Sequence, residues 1–195
     1  MSFIDRIRES DEQWKTWTSS GFDPDLRTCG LARVSVQTSN HGRKRLVRAE
    51  TWTIRSRSIK ISIDAANAMV ETILVHEHLF DAHEAWIEGQ QVYPDAFKKR
   101  SELVATANDL IMLAHISGAA KALFVKHNCD ADIILPAQWK GNRKKKPMHK
   151  EIANLLGSGS VASFVDDQPT DSVESINIHA KDALGMALRK AGYRV

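Results

Sequence analysis

The apolar and polar positions between Trp17 and Ser56 read as three strands. One ends at Asp23, one runs from Cys29 to Gln37, and one runs from Leu46 to Ser56, with turn chemistry at Asn40-His41-Gly42-Arg43 between the second and third. The pattern then changes period. From Asp64 to about Phe80, Ala65, Ala68, Met69, Thr72, Ile73 and His76 fall near one face of a helix. Ala85 to Glu88 predicts a short central strand. A long helix follows over about Ser101 to His127, with Leu103, Ala107, Leu110 and Ala114 at helical spacing. Within it, Ser117-Gly118-Ala119-Ala120 is a small-residue patch that lets another element approach. Asp132 to Leu135 predicts a fifth strand, stopped by Pro136, which cannot donate to a ladder. A helix over about Pro147 to Leu156 is broken by Gly157-Ser158-Gly159-Ser160, and a polar stretch through Asp171 leads to a last helix from about Ile178. Ahead of the first strand, residues Ser2 to about Thr16 read as a short amphipathic helix, capped by Ser2 and Asp5.

The order strand, strand, strand, helix, strand, helix, strand, helix predicts an α/β mixed five-stranded sheet flanked by helices, three antiparallel strands first and then two parallel. With 195 residues and no internal repeat, one domain over 1–195 is the expectation, residues 1–16 forming an N-terminal helical extension. The composition, 43% hydrophobic and 26% charged, is that of an ordinary globular chain, and no stretch reaches the roughly 20 apolar residues of a membrane span. Cys29 and Cys129 make neither a disulfide framework nor a zinc spacing. They read as small buried residues in a reducing cytoplasm, and the acidic N-terminus argues against secretion.

Net charge is only +3, but the cations cluster. Lys140, Arg143, Lys144, Lys145, Lys146 and Lys150 fall within eleven residues; Arg43, Lys44, Arg45 and Arg48 form a second group, and Lys98-Lys99-Arg100 a third. Such runs are commonly solvated faces. They gain meaning beside an acidic site that must attract a polyanion. Candidate acids stand at element ends: Asp23 and Glu88 at the ends of two strands, and Asp182 one turn after His179 on the last helix, where i and i+3 share a face. His76, His78 and His83 lack a Cys or acidic partner that would complete a zinc set, and Asp166, Asp167 and Asp171 read as solvated loop residues. Trp86 and Trp139 read as core or core-edge.

Three segments carry a resemblance to a known family. They are Gly21-Phe22-Asp23-Pro24-Asp25 through Thr28-Cys29-Gly30, Ile87-Glu88-Gly89-Gln90-Gln91-Val92-Tyr93, and His179-Ala180-Lys181-Asp182-Ala183-Leu184-Gly185-Met186-Ala187-Leu188. In this order, over nearly the whole chain, they resemble the RuvC family of Holliday junction resolvases, within the RNase H-like nuclease fold. The resemblance implies a metal-dependent endonuclease in which Asp23, Glu88, His179 and Asp182 hold two Mg2+ or Mn2+ ions, Asp23 bridging them. It implies phosphate contacts from Lys140, Arg143, Lys144, Lys145, Lys146 and Lys150; Tyr93 and Phe97, on a loop after the second acidic strand, read either as platforms on which unpaired bases stack or as packing against the neighbouring helix. It also implies branched DNA as partner and a homodimer matching the two-fold symmetry of a four-way junction. Asp25 stands where the family carries Gly, and Gly89 separates Glu88 from Gln90; these departures suggest a divergent member, with a phage source and the host cytoplasm as the expectation. Two other readings are kept: an RNase H-like nuclease of flaps, branched replication intermediates or RNA–DNA hybrids, and a DNA-binding module that has lost catalysis.

Overall fold

A computed structural model describes residues 13–56, 63–90, 107–141, 143–157, 161–166 and 176–195. Three long antiparallel strands form its centre: β1 (Trp14–Asp23), β2 (Thr28–Ser39) and β3 (Lys44–Arg55). Two shorter strands add in parallel beyond β1, namely β4 (Glu84–Glu88) beside β1 and β5 (Asp130–Ile134) beside β4. The five expected strands are therefore all present, three antiparallel and then two parallel. A sixth, β6 (Val161–Asp166), lies parallel to β3 and gives the sheet order β5-β4-β1-β2-β3-β6. It falls where the sequence suggests only a polar stretch. Its partner β3 is remote in sequence, so an edge pairing of this kind leaves little local signal.

Helices cover both faces. On one face lie α1 (Ile63–Val75), followed by a 3-10 turn over Glu77–Leu79, and α2 (Ala107–Lys126). There Phe22, Leu31, Ile87, Met69, Ile73, Ile116, Phe80 and Phe124 form one buried cluster. The other face carries a short helix α3 (Pro136–Lys140), then α4 (Lys145–Gly157) and α5 (Ile178–Lys190). A second cluster forms there from Ala32, Val34, Val36, Trp139, Ile152, Leu184, Met186 and Leu188. Side chains alternate across a strand, so Phe22 and Ile87 enter the first cluster while Asp23 and Glu88 turn to the α5 face.

Several boundaries differ from expectation. β1 begins at Trp14, so Trp14, Lys15 and Thr16 are strand rather than the end of a helical extension; they pair with Ser39, Thr38 and Gln37 of a hairpin longer than its apolar pattern suggests. The Trp14 ring lies 4.3 Å from the Arg45 guanidinium carbon, which gives this polar strand end a partner. Residues 1–12 of that proposed extension lie outside the described residues. The first helix stops at Val75 rather than Phe80, where Leu79 N–H and Phe80 N–H bond three residues back to His76 and Glu77. α2 ends one residue early because Asn128 takes the left-handed conformation, φ 60°; residues 101–106 of its expected span lie outside the described residues. β5 runs from Asp130 to Ile134, with Leu135 leading into α3, and α4 starts two residues before Pro147, a first-turn position where a missing N–H costs nothing.

Candidate active site

Two glycines decide where α5 sits. A Cβ on Gly21 of β1 would stand 2.0 Å from the Ala183 carbonyl oxygen, and one on Gly30 of β2 would stand 2.1 Å from the His179 backbone. The helix backbone therefore rests directly on the two central strands, a closeness that any side chain would forbid. Both glycines lie within the first motif, so the segment that carries Asp23 also builds the seat for the helix bearing His179 and Asp182. Asn177 caps that helix, its Oδ1 accepting the His179 N–H at 2.9 Å. On the strand side, β1 and β4 are parallel neighbours whose last paired residues are Phe22 and Ile87, which puts Asp23 and Glu88 side by side at one end of the sheet.

The turn after Asp23 is closed by Asp25, whose Oδ1 accepts the N–H groups of Arg27 and Thr28 at 2.8 and 3.0 Å. The Asp25 carboxylate thus closes the turn with local hydrogen bonds. Cys29 donates its thiol to the Asp25 carbonyl at 3.2 Å and is buried, as is Cys129; burial pushes the Cys129 thiol up to about 12 and the Cys29 thiol higher still, so neither is a nucleophile.

Asp23 is almost wholly buried and meets His179, whose Nδ1 stands 2.7 Å from Asp23 Oδ2. Burial pushes the Asp23 carboxyl up to about 6, against the hydrogen bond from His179 that lowers it; the negative charges of Glu88 and Asp182 raise it further. The same hydrogen bond raises His179 above its ordinary value, outweighing burial. Asp182 has no exposed surface, yet both its oxygens are engaged: Lys145 Nζ at 2.5 Å on Oδ2 and His149 Nε2 at 2.6 Å on Oδ1. Burial pushes this carboxyl up, but those two bonds win and hold it below the usual carboxylate range. Glu88 Oε2 accepts from Trp139 Nε1 at 2.7 Å and from Lys140 Nζ at 3.3 Å. Its backbone carbonyl accepts from Ser117 Oγ at 3.2 Å. Within the small-residue patch of α2 it is Ser117 that draws near β4, while Gly118 faces open space.

Asp23, Glu88, His179 and Asp182 therefore come together from three elements, and the electrostatic influence of Glu88 and Asp182 on Asp23 marks them as one cluster. The predicted cations divide. Lys140 and Lys145 lie within the acidic cluster, Arg143 pairs with Glu151 at 2.7 Å, and Lys144, Lys146 and Lys150 are exposed on and before the first turns of α4. Tyr93 and Phe97 lie outside the described residues, as do Asp167 and Asp171. Of the bland readings, Trp139 is core, at 1% exposure, but it also orients Glu88, a role its sequence position does not suggest. His149 is the residue that sequence reasoning passes over. Its one available signal is its place four residues after Lys145, on the same helix face.

Solved structures complete the assignment of the fold. A Thermus thermophilus RuvC structure superposes with TM-score 0.54 at 20% identity, covering 89% of this chain and 93% of that one. The fold is that of RuvC. A second structure, T. thermophilus RuvC in complex with Holliday junction substrate, gives TM-score 0.55 at 17% identity, covering 90% of this chain and 96% of that one. No family model matches the sequence, and no curated protein does. At such identities the likeness to RuvC is one of fold. No described helix is long and apolar enough to cross a membrane.

In donor type, the cluster suits a hard divalent cation: three carboxylates whose charges act on one another, with one imidazole beside them. Among the described residues no three such groups already converge as a set of metal ligands. Lys145 and His149 take both oxygens of Asp182, and Trp139 with Lys140 takes one oxygen of Glu88. The donor types fit such an ion, while the Asp182 and Glu88 oxygens are engaged by the chain's own side chains.

Proposed function

We propose that this chain is a metal-dependent, structure-selective DNA endonuclease that resolves four-way junctions. The observation that carries the reading is the placement of Asp23 and Glu88 at the ends of two neighbouring strands, with His179 bonded to Asp23 from the helix that Gly21 and Gly30 seat and that also bears Asp182, on the fold of RuvC. Asp23, Glu88, His179 and Asp182 would hold two Mg2+ or Mn2+ ions, which when bound supply an activated water and charge stabilisation of the leaving oxygen. The chain's own residues do the rest. Gly21 and Gly30 fix the helix bearing two donors against the strands bearing the other two, so that the donors need no large motion to meet. Trp139 fixes the orientation of Glu88. The exposed Lys144, Lys146 and Lys150 attract the phosphate backbone to a centre that is otherwise acidic. A four-way junction needs paired cuts, so a symmetric dimer of this chain is the expected working form.

The experiment is incubation of the purified chain with four-way, flap, duplex and RNA–DNA hybrid substrates, with and without Mg2+ or Mn2+. Paired, metal-dependent incision of the four-way junction is the expected result. Preference for flaps or hybrids replaces the substrate and keeps the nuclease. Binding without incision of any substrate overturns the enzyme and leaves a DNA-binding module.

A further inference from the structure

Among the described residues, Asp182 is held by hydrogen bonds from α4, by two residues one turn apart, and the two are not equivalent. Its side chain is 1% exposed, so its charge has no water to stabilise it and must be met by protein donors. His149 meets it from a side chain 15% exposed, on the stretch of α4 that Met148 and Ile152 anchor in the core beside α5. Because a carboxylate only accepts, His149 Nε2 carries the hydrogen and donates to Oδ1. Lys145 meets Oδ2 from the first turn of the same helix with a side chain 49% exposed. A lysine there opposes the positive end of the helix dipole, so it is the acid and not the helix that draws the ammonium inward. Its flexible stem lets the ammonium swing back into water at little cost, whereas the imidazole has no such exit.

We propose that α4 holds Asp182 in two distinct ways: His149 is a fixed positioning residue on Oδ1, and Lys145 is an exchangeable counter-ion on Oδ2 whose place a divalent cation takes. This rests on the reading of the cluster as a divalent-cation centre. In the cation-free protein, Lys145 keeps the buried Asp23 and Asp182 and the part-buried Glu88 from facing one another without compensation. When a cation binds, that compensation becomes redundant and the ammonium is released, while His149 keeps the carboxylate aimed. Affinity for the cation is then set partly by the lysine it displaces. Lys145, counted with the phosphate-contacting cations on sequence grounds, serves the site from within.

The test is calorimetric titration of Mn2+ into the full chain without DNA, for wild type, Lys145→Met, Lys144→Met, His149→Leu, His149→Gln and Asp182→Asn, each checked by circular dichroism. Lys145→Met removes the competing ammonium and is expected to bind Mn2+ about two- to fivefold more tightly, the factor a half-exposed ion pair is worth. Lys144→Met removes the same charge one residue away and gives the background; a gain no greater than its own overturns the exchange. His149→Leu is expected to weaken Mn2+ binding by about tenfold, the lower end for a residue that orients a ligand. His149→Gln, whose amide can donate from nearly the Nε2 position, is expected to restore most of it. Equal affinity in wild type and His149→Leu overturns the positioning role; if His149→Leu does not fold, His149→Ala takes its place, and equal affinity in that variant overturns the role. Wild type showing no Mn2+ binding that Asp182→Asn abolishes overturns the cation centre itself, and the exchange with it.

Discussion

Gly30→Ala is expected to damage the site without touching any of its side chains. The added Cβ would lie 2.1 Å from the carbonyl group of His179, about 1.4 Å inside the roughly 3.5 Å at which non-bonded heavy atoms settle. The obstacle is helix backbone rather than the end of a flexible side chain, so either the first turn of α5 lifts or the strand bends. Overpacking of this kind costs about 1–3 kcal/mol, against a gain of roughly 0.4–1 kcal/mol from the stiffer unfolded chain. Net destabilisation of about 1 kcal/mol is therefore expected, with Gly21→Ala similar, since its Cβ would meet the Ala183 oxygen at 2.0 Å. Gly118→Ala is the control. Nothing lies within 4 Å of that position, and it sits inside α2, where alanine is favoured over glycine by about 0.8–1 kcal/mol. Urea unfolding should thus show opposite signs for the sheet and helix glycines. The lifted helix turn should also loosen the His179–Asp23 bond, so the His179 titration, followed by NMR, should fall back toward about 6.5 in Gly30→Ala. If Gly30→Ala is as stable as wild type and leaves the His179 titration unmoved, α5 is not seated on the strand as described.

Asp23→Asn should abolish cleavage yet keep or strengthen junction binding, because it empties a ligand position while reducing repulsion of phosphate; wild-type cleavage by this variant would remove Asp23 from the site. The same variant has a pH signature. A buried acid raised to about 6 binds more protons folded than unfolded, so wild-type stability falls as pH rises between about 4 and 6, and the raised His179 extends that loss above about 6.5. The stability of Asp23→Asn relative to wild type should accordingly grow with pH over this range, and a constant difference in urea midpoints would contradict it. Neutralising Lys144, Lys146 and Lys150 together should flatten the log–log salt dependence of junction affinity by about 0.9 for each phosphate that no longer meets a cation, whereas an unchanged slope marks them as solvated surface. His179→Asp should narrow an expected preference for Mn2+ over Mg2+ in cleavage, since imidazole suits manganese better; identical preferences would take His179 out of the cation's reach.

The sheet was largely legible because its strands carry their signals locally: hydrophobic runs, a turn at Asn40–Gly42, and Pro136 after the fifth strand. The candidate residues were chosen for a different reason: Asp23, Glu88, His179 and Asp182 stand in a family-like order along the chain, and in the fold His179 meets Asp23 once α5 lies on β1 and β2. What resisted reading depended on pairings between distant segments. β6 is defined by β3, more than a hundred residues earlier, and Trp14–Thr16 become strand because the hairpin opposite them is long. The run of cations shows the same limit. Composition treats Lys144, Lys145 and Lys146 alike, but the start of α4 gives each a different direction, and only Lys145 reaches a carboxylate.

That last distinction bears on how an acidic centre can exist before any cation arrives. Asp23 carries the cost of burial as a carboxyl raised to about 6, partly offset by the hydrogen bond from His179 beside it. Asp182 takes the opposite course and stays ionised, with two donors compensating its charge. Glu88 lies between the extremes, bonded to the Trp139 indole and, at longer range, to Lys140. Three acids close enough to influence one another are thus stabilised by three different devices, each reversible by a small motion or one proton. On the proposed reading, a cation entering such a cluster would exchange partners rather than fill an unprepared void. The cost of assembling the acids has already been met by the fold, through two glycines on the strands and two basic residues on one helix.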